Sequence, residues 1–132
     1  MSPESNTQLI QSIYAAFSRG DIPAILNALA DDIHWEEYAH PAIPFGGIRR
    51  GKPAVLEFFQ QLAQVEVASF EPQHYIATGD HVFVPGRWSG RVKSTYKPFK
   101  TEWLMHWVVK DNKVTSFRSY EDSATLAAAF TR

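Results

Sequence analysis

The chain has 132 residues, with 13 Lys and Arg against 14 Asp and Glu, a formal charge of −1, and no cysteine. That length suits one domain over residues 1–132, able to bury about two-thirds of its unfolded surface, so no disulfide or metal is needed to hold it. Lack of cysteine excludes disulfides, thiolate metal sites and a cysteine nucleophile, and a longest basic run of Arg49-Arg50 excludes a clustered nucleic-acid-binding face.

The first residues, Met1 to Leu9, carry neither a basic leader nor an apolar core, so no signal peptide is expected. From about Asn6 to Arg19, Leu9, Ile10, Ile13, Tyr14 and Phe17 recur at helical spacing and form one apolar stripe. Gly20 ends that helix. Asp21 caps a second, shorter one with Pro23 in its first turn, carrying Ile25, Leu26 and Leu29 and stopping near Asp31-Asp32. Next, Ile33, Trp35 and Glu37 alternate with His34, Glu36 and Tyr38, the period-two signature of a strand. His40 to Gly51, with two Pro and three Gly, reads as a loop. Pro53 then opens a third helix with Val55, Leu56, Phe58, Phe59 and Leu62 on its apolar side.

From Val67 onward the helical pattern vanishes. Extended stretches near 68–77, 81–92, 100–110 and 113–121 are separated by Thr78-Gly79-Asp80, a basic loop from Lys93 to Pro98, and Asp111-Asn112, all hairpin chemistry. Ser123 to Phe130 suits a short terminal helix with Asp122 or Ser123 as its cap. No apolar run approaches the roughly 20 residues of a membrane helix, so a soluble, cytoplasmic protein with no membrane partner is expected. Helix, helix, strand, helix and then four antiparallel strands predict an α+β fold. Three helices pack on the concave face of a curved antiparallel sheet, and the space between them is a pocket.

Three phrases, in this order and spacing, carry a resemblance. They are Ile13-Tyr14-Ala15-Ala16-Phe17-Ser18-Arg19-Gly20-Asp21, then Pro44-Phe45-Gly46-Gly47 with Arg50-Gly51-Lys52-Pro53-Ala54-Val55 and Phe58-Phe59, and last His106-Trp107-Val108-Val109 through Lys113-Val114 to Phe117-Arg118-Ser119-Tyr120-Glu121-Asp122. The chain resembles the SnoaL-like, ketosteroid-isomerase-like branch of the nuclear transport factor 2-like superfamily, whose fold is a cone. That superfamily holds isomerases, cyclases, hydrolases, dehydratases and noncatalytic binders, so the fold does not give the reaction.

The resemblance implies roles residue by residue. Glu37 falls where steroid isomerases carry a proton-shuttling carboxylate. Ile13 and Met105 fall where those enzymes carry a tyrosine and a neutral aspartic acid as an oxyanion hole. Neither side chain donates a hydrogen bond, so steroid isomerisation by that route is not expected. The acid that hydrolases and cyclases of this kind carry on the last strand falls on Ser119, with Glu121 two residues along on the same strand face.

Glu37 has two readings. Facing inward it is a carboxyl of raised pKa fit for general acid–base work; facing outward it is a rim residue paired with Arg49, Arg50 or Lys52. Trp103, Met105 and Trp107 share one strand face, which the resemblance turns toward a ligand and which otherwise is plain core or a dimer face. Trp88 joins them, with Gly86 beside it as space for a bound molecule. Phe17, Trp35 and Phe117 complete the expected substrate wall.

Five His, at 34, 40, 74, 81 and 106, show no metal-pair spacing, so neither metal nor cofactor is expected. His40, beside the expected pocket mouth, is the second acid–base candidate. The opposite strand faces expose Leu104, His106, Val108, Arg118 and Tyr120, which together predict a homodimer. The functional expectation is a cofactor-free acid–base enzyme of isomerase, cyclase or hydrolase type, acting on a small apolar cyclic molecule. The alternative is a noncatalytic ligand binder, or a protein-interaction module, of the same fold.

Overall fold

A computed structural model describes residues 2–132. Helix α1, Pro3–Ser18, begins before the apolar stripe does because Ser2 and Ser5 close a capping box, each side chain accepting from the other's backbone N–H at 3.1 Å. Its buried side carries Ile10, Ile13 and Tyr14. Asp21 caps α2, Ile22–Asn27, by accepting from the N–H of Ala24 at 3.2 Å. The second helix therefore stops earlier than its composition suggests. Leu29 does not belong to it but opens strand β1, Leu29–Tyr38, because the carbonyl of Ala28 accepts from the N–H of Val114 and the chain is drawn into the sheet.

The loop after β1 contains a strand that has no alternation to announce it. β2, Gly47–Arg50, lies antiparallel on β1 with Trp35 opposite Arg49 and Glu37 opposite Gly47. Gly47 and Gly51 at its ends have φ of 98° and 84°, a region that favours glycine. Helix α3, Lys52–Leu62, follows with Val55 and Phe58 buried.

The extended stretch expected at 68–77 is two strands, β3, Val65–Pro72, and β4, Ile76–Thr78, with Gln73 donating across to the carbonyl of Pro85 at the break. β5, His81–Val92, β6, Pro98–Lys110, and β7, Lys113–Glu121, complete the sheet. Helix α4, Ser123–Phe130, is capped by Asp122 and packs against β5 and β6. The strand order is β2-β1-β7-β6-β5-β3, with β4 beside the far end of β5. Every pair is antiparallel except β1 and β7, which run parallel, so the sheet is mixed where all-antiparallel pairing was expected.

The result is an α+β cone, a curved and unclosed sheet with four helices packed against it. Among the described residues, no helix is long and apolar enough to cross a membrane. Alternation aims Trp35 and Glu37 of β1, Val82, Val84 and Trp88 of β5, Trp103 and Trp107 of β6, and Phe117 and Ser119 of β7 into the concave side. Gly86 does not leave space for a ligand, as expected from its position beside Trp88. A Cβ there would collide with the ring of Trp103 and lie 2.6 Å from the carbonyl of Glu71, so the glycine makes room for the indole itself.

Candidate functional site

Between the helices and the concave face lies a cavity of about 60 Å³. Helix α1 contributes Ile13, Tyr14 and Phe17, α3 contributes Phe58, Phe59 and Leu62, and the strands supply the rest of the wall. The aromatic rings hold one another. Trp35 stacks on Phe117 at 4.0 Å between ring centres, and Trp103 on Phe70 at 5.0 Å. Trp107 stands edge-on to both Trp35 and Tyr14. Contacts of this density fix the rings in place.

Two carboxyls enter this wall. Glu37, 6% exposed, lies in register with Ser119 of the parallel neighbour β7. Burial, and then the like charge of Glu121, push its carboxyl well above the ordinary 4.5; the Ser119 hydroxyl and the Arg49 guanidinium pull the other way without offsetting them. Glu121, at the end of β7, accepts from the indole N–H of Trp88 at 3.0 Å and from the hydroxyl of Thr101 at 2.8 Å. Burial raises its carboxyl too, against those two hydrogen bonds.

The third polar group is the hydroxyl of Tyr14. It accepts from the indole N–H of Trp107 at 3.0 Å and donates to Sδ of Met105 at 3.1 Å. Burial pushes its ionisation far above the ordinary range, so the phenol stays neutral and keeps its proton. The donor that Ile13 cannot supply is therefore present one residue further along the same helix. The indole N–H groups of Trp35 and Trp103 are also buried, and neither meets an acceptor.

The expected wall residues Phe17, Trp35, Trp88, Trp103, Met105, Trp107, Phe117, Ser119 and Glu121 all line this cavity, together with Glu37. The rim reading of Glu37 does not describe the geometry. Lys52 pairs with Asp31 at 3.5 Å, and Arg49 donates to the carbonyls of Phe45 and Gly46 with its guanidinium 5.6 Å over the Phe58 ring.

His40 is a correction: it is exposed, outside the cavity, and its Nδ1 accepts from the N–H of Ala42. β1 ends at Tyr38, and the turn that follows carries the imidazole away. Sequence reasoning missed Tyr14, Phe45 and Phe70. Tyr14 already stood in the apolar stripe of the first helix and Phe45 in the second of the three phrases, whereas Phe70 had no pattern to mark it.

The His residues are less dispersed in space than along the chain. β5 and β6 pair so that Nδ1 of His81 lies 2.7 Å from Nε2 of His106, on the outer face of the sheet. No cluster of three metal-ligating side chains forms among the described residues.

Comparison with known proteins gives a consistent result. The family model of the SnoaL-like domain matches residues 10–117. A nuclear transport factor 2-like protein from Burkholderia xenovorans is 36% identical, over 99% of each chain, with a TM-score of 0.90. TerC, crystallised with polyporic acid, is 23% identical over 99% of this chain and 100% of its own, at a TM-score of 0.85. A protein of ketosteroid isomerase-like fold from Catenulispora acidiphila, in complex with trimethylamine, is 19% identical over 92% and 90%, at 0.76. No curated protein matches the chain.

Proposed function

Because the chain belongs to the SnoaL-like family of the nuclear transport factor 2-like superfamily, we propose that it moves a proton on a small apolar cyclic molecule without a cofactor, with Glu37 as the proton carrier. One observation carries the reading: a buried carboxyl with a raised pKa and no cation bonded to it, in a wall of aromatic rings. Structures buried for stability alone rarely keep such a group, because burial penalises its charged form without return. A carboxyl whose pKa is raised above the ordinary carboxylate value holds its proton more readily than a surface one, which is what a general acid–base group of this type needs. Glu121 is the positioning charge that helps hold Glu37 high, itself fixed by Trp88 and Thr101.

The reaction is of isomerase, cyclase or hydrolase type, with proton transfer at a carbon or oxygen of the ring. TerC, a chain of the same fold, was crystallised with polyporic acid, which is in line with a cyclic ligand. The outer sheet face, in this reading, joins two copies into a homodimer.

The experiment is a carboxyl titration by NMR, paired with a screen of cyclic ketones and lactones for proton exchange or turnover. Glu37 titrating well above 4.5, and activity lost in Glu37→Gln, is the expected result. A Glu37 that titrates at or below its ordinary value removes the proposal. A second reading, noncatalytic binding, is favoured by the hydroxyl of Tyr14, whose proton is already committed to Met105. In that case Glu37→Gln leaves ligand affinity intact, and no compound in the screen is turned over.

A further inference from the structure

On the outer face of the sheet the pairing register lays side chains out in rows. One row runs Glu36, Arg118, His106, Phe83 and Ile76 from β1 across β7, β6 and β5 to β4. The row beside it runs His34, Ser116, Val108, His81 and Thr78. His81 and His106 therefore meet on a diagonal, with Nδ1 of His81 2.7 Å from Nε2 of His106. Their ring centres are 5.0 Å apart and their planes differ by 26°, so the two nitrogens meet edge to edge. Phe83 lies flat against the His106 ring at 4.3 Å.

A contact this short needs one imidazole nitrogen to donate and the other to accept, so both rings cannot be charged while the bond stands. The surroundings also oppose a charge. Burial first, then His81 and Arg118, hold the His106 imidazole below its ordinary 6.5. Arg118 faces His106 from β7, and β4 brings only Thr78 and Ile76. The carboxylate of Glu36, on β1, lies beyond Arg118 and is already engaged, 3.1 Å from His34 and 3.6 Å from Arg118. Asp80, Lys110 and Lys113, at the strand ends, are exposed. A proton added to the pair thus meets a guanidinium and no free carboxylate.

We infer that the His81–His106 pair makes the outer face a pH-sensitive joint between two copies of this chain, closed while the pair is neutral and released in mild acid. This rests on the homodimer proposed above and names what regulates it. A second copy suits the face because Glu36 and Arg118 stand side by side in one row. A two-fold axis running between their strands sets each against its opposite in the other copy. Covering the face withdraws the imidazole pair from water, where a charge on it has nothing to offset it. Each copy must then shed the proton its pair holds in acid before it associates. The dimer binds fewer protons than two separate copies, so dissociation is favoured as pH falls, by up to about tenfold per pH unit for each copy's proton.

The test is a dilution series of the full chain by sedimentation velocity, at fixed ionic strength, near neutrality and at about pH 5.5, one unit below the ordinary imidazole value. The dimer Kd is expected to rise roughly tenfold or more in acid. Unfolding does not mimic this, because the raised carboxyl of Glu37 makes the fold more stable on the acid side. The double variant His81→Gln, His106→Gln keeps a donor and an acceptor but does not titrate, so its Kd should be the same at both pH values. His34→Gln should keep the wild-type dependence. In the wild type, the ring signals of His81 and His106 in NMR spectra should titrate together with dissociation. A Kd indifferent to pH, a pair that titrates while the dimer holds, or a dependence lost in His34→Gln and kept in the double variant overturns the inference and leaves the dimer standing. A wild-type chain that is monomeric at both pH values overturns the inference and the homodimer together.

Discussion

A carboxyl inside a wall of rings makes stability depend on pH in a definite direction. The folded-state pKa of Glu37 is raised, so its contribution is fully present below the unfolded value and is lost as pH climbs through the folded one. Glu121 adds a slope of the same sign. Wild-type stability should therefore fall as pH rises above the ordinary carboxylate value, by about 1.4 kcal/mol for each unit of separation between the folded and unfolded pKa. Glu37→Gln keeps the shape and removes the titration. Denaturant melts at several pH values should show the variant equal to or more stable than wild type at neutrality, with a flatter pH profile. A variant less stable at neutral pH would mean that the charged form has a partner. Tyr14 tests the opposite case, a polar group whose bonds are made. Tyr14→Phe strands the N–H of Trp107, and an unsatisfied buried donor costs about 1–3 kcal/mol, readable as a lower denaturation midpoint. At this scale the sequence was legible where alternation spoke. Ile33, Trp35 and Glu37 recur every second residue, so facing one inward faces all three. It was silent on Tyr14, because a helical stripe that is apolar throughout does not say which member has its hydroxyl in the cavity. It misled on His40, because proximity along the chain to a pocket mouth says nothing about where a turn sends the side chain.

Strands and helices were legible to the degree that each follows its own local rule. The first helix, the third helix and the long strands do, and they stand within a few residues of where periodicity puts them. β2 does not, since four residues flanked by glycines carry too little alternation, and its pairing is decided by β1 across the loop. The parallel pairing of β1 with β7 was equally hidden. It joins residues some eighty apart, and nothing in either segment distinguishes a parallel neighbour from an antiparallel one. Yet that pairing makes the site, because it sets Glu37 opposite Ser119 and Trp35 opposite Phe117. Gly86 shows the reverse dependence, a local residue fixed by a neighbouring element. Its missing side chain admits the ring of Trp103 from β6, with the carbonyl of Glu71 closing the remaining side. Gly86→Ala should force both to move and cost about 1–3 kcal/mol or more by overpacking. Because Trp103 shifts with it, the indole N–H resonance of that residue should move in the variant. An unchanged midpoint and an unchanged Trp103 signal would mean that the strand bends away freely.

Seen whole, the cone buries one face of its sheet on its own helices and leaves the other uncovered. On that outer face Tyr38, Tyr120 and Leu104 form one row across β1, β7 and β6, with exposures of 44%, 40% and 39%. The two tyrosines stack at 4.7 Å, presenting a flat aromatic surface to solvent. Beside them, Arg118 stands 3.6 Å from Glu36, and Phe83, His106 and His81 stack in a second row. A contiguous apolar stripe with charges at its border has the composition of an interface core and rim. This supports the proposed homodimer, in which the two cavities would lie on the far sides of the shared sheet faces. Leu104→Asp places a charge in the stripe on a residue that does not line the cavity. Wild-type protein should scatter light as a dimer at micromolar concentration, and its melting temperature should rise with concentration, because association stabilises by mass action. The variant should scatter as a monomer, and its melting temperature should be independent of concentration. Its indole N–H spectrum should keep the pattern of the four wall tryptophans, which shows that the fold and the cavity survive the separation. A wild-type protein that is already monomeric, with a melting temperature indifferent to concentration, would remove the dimer and leave the outer face as exposed sheet.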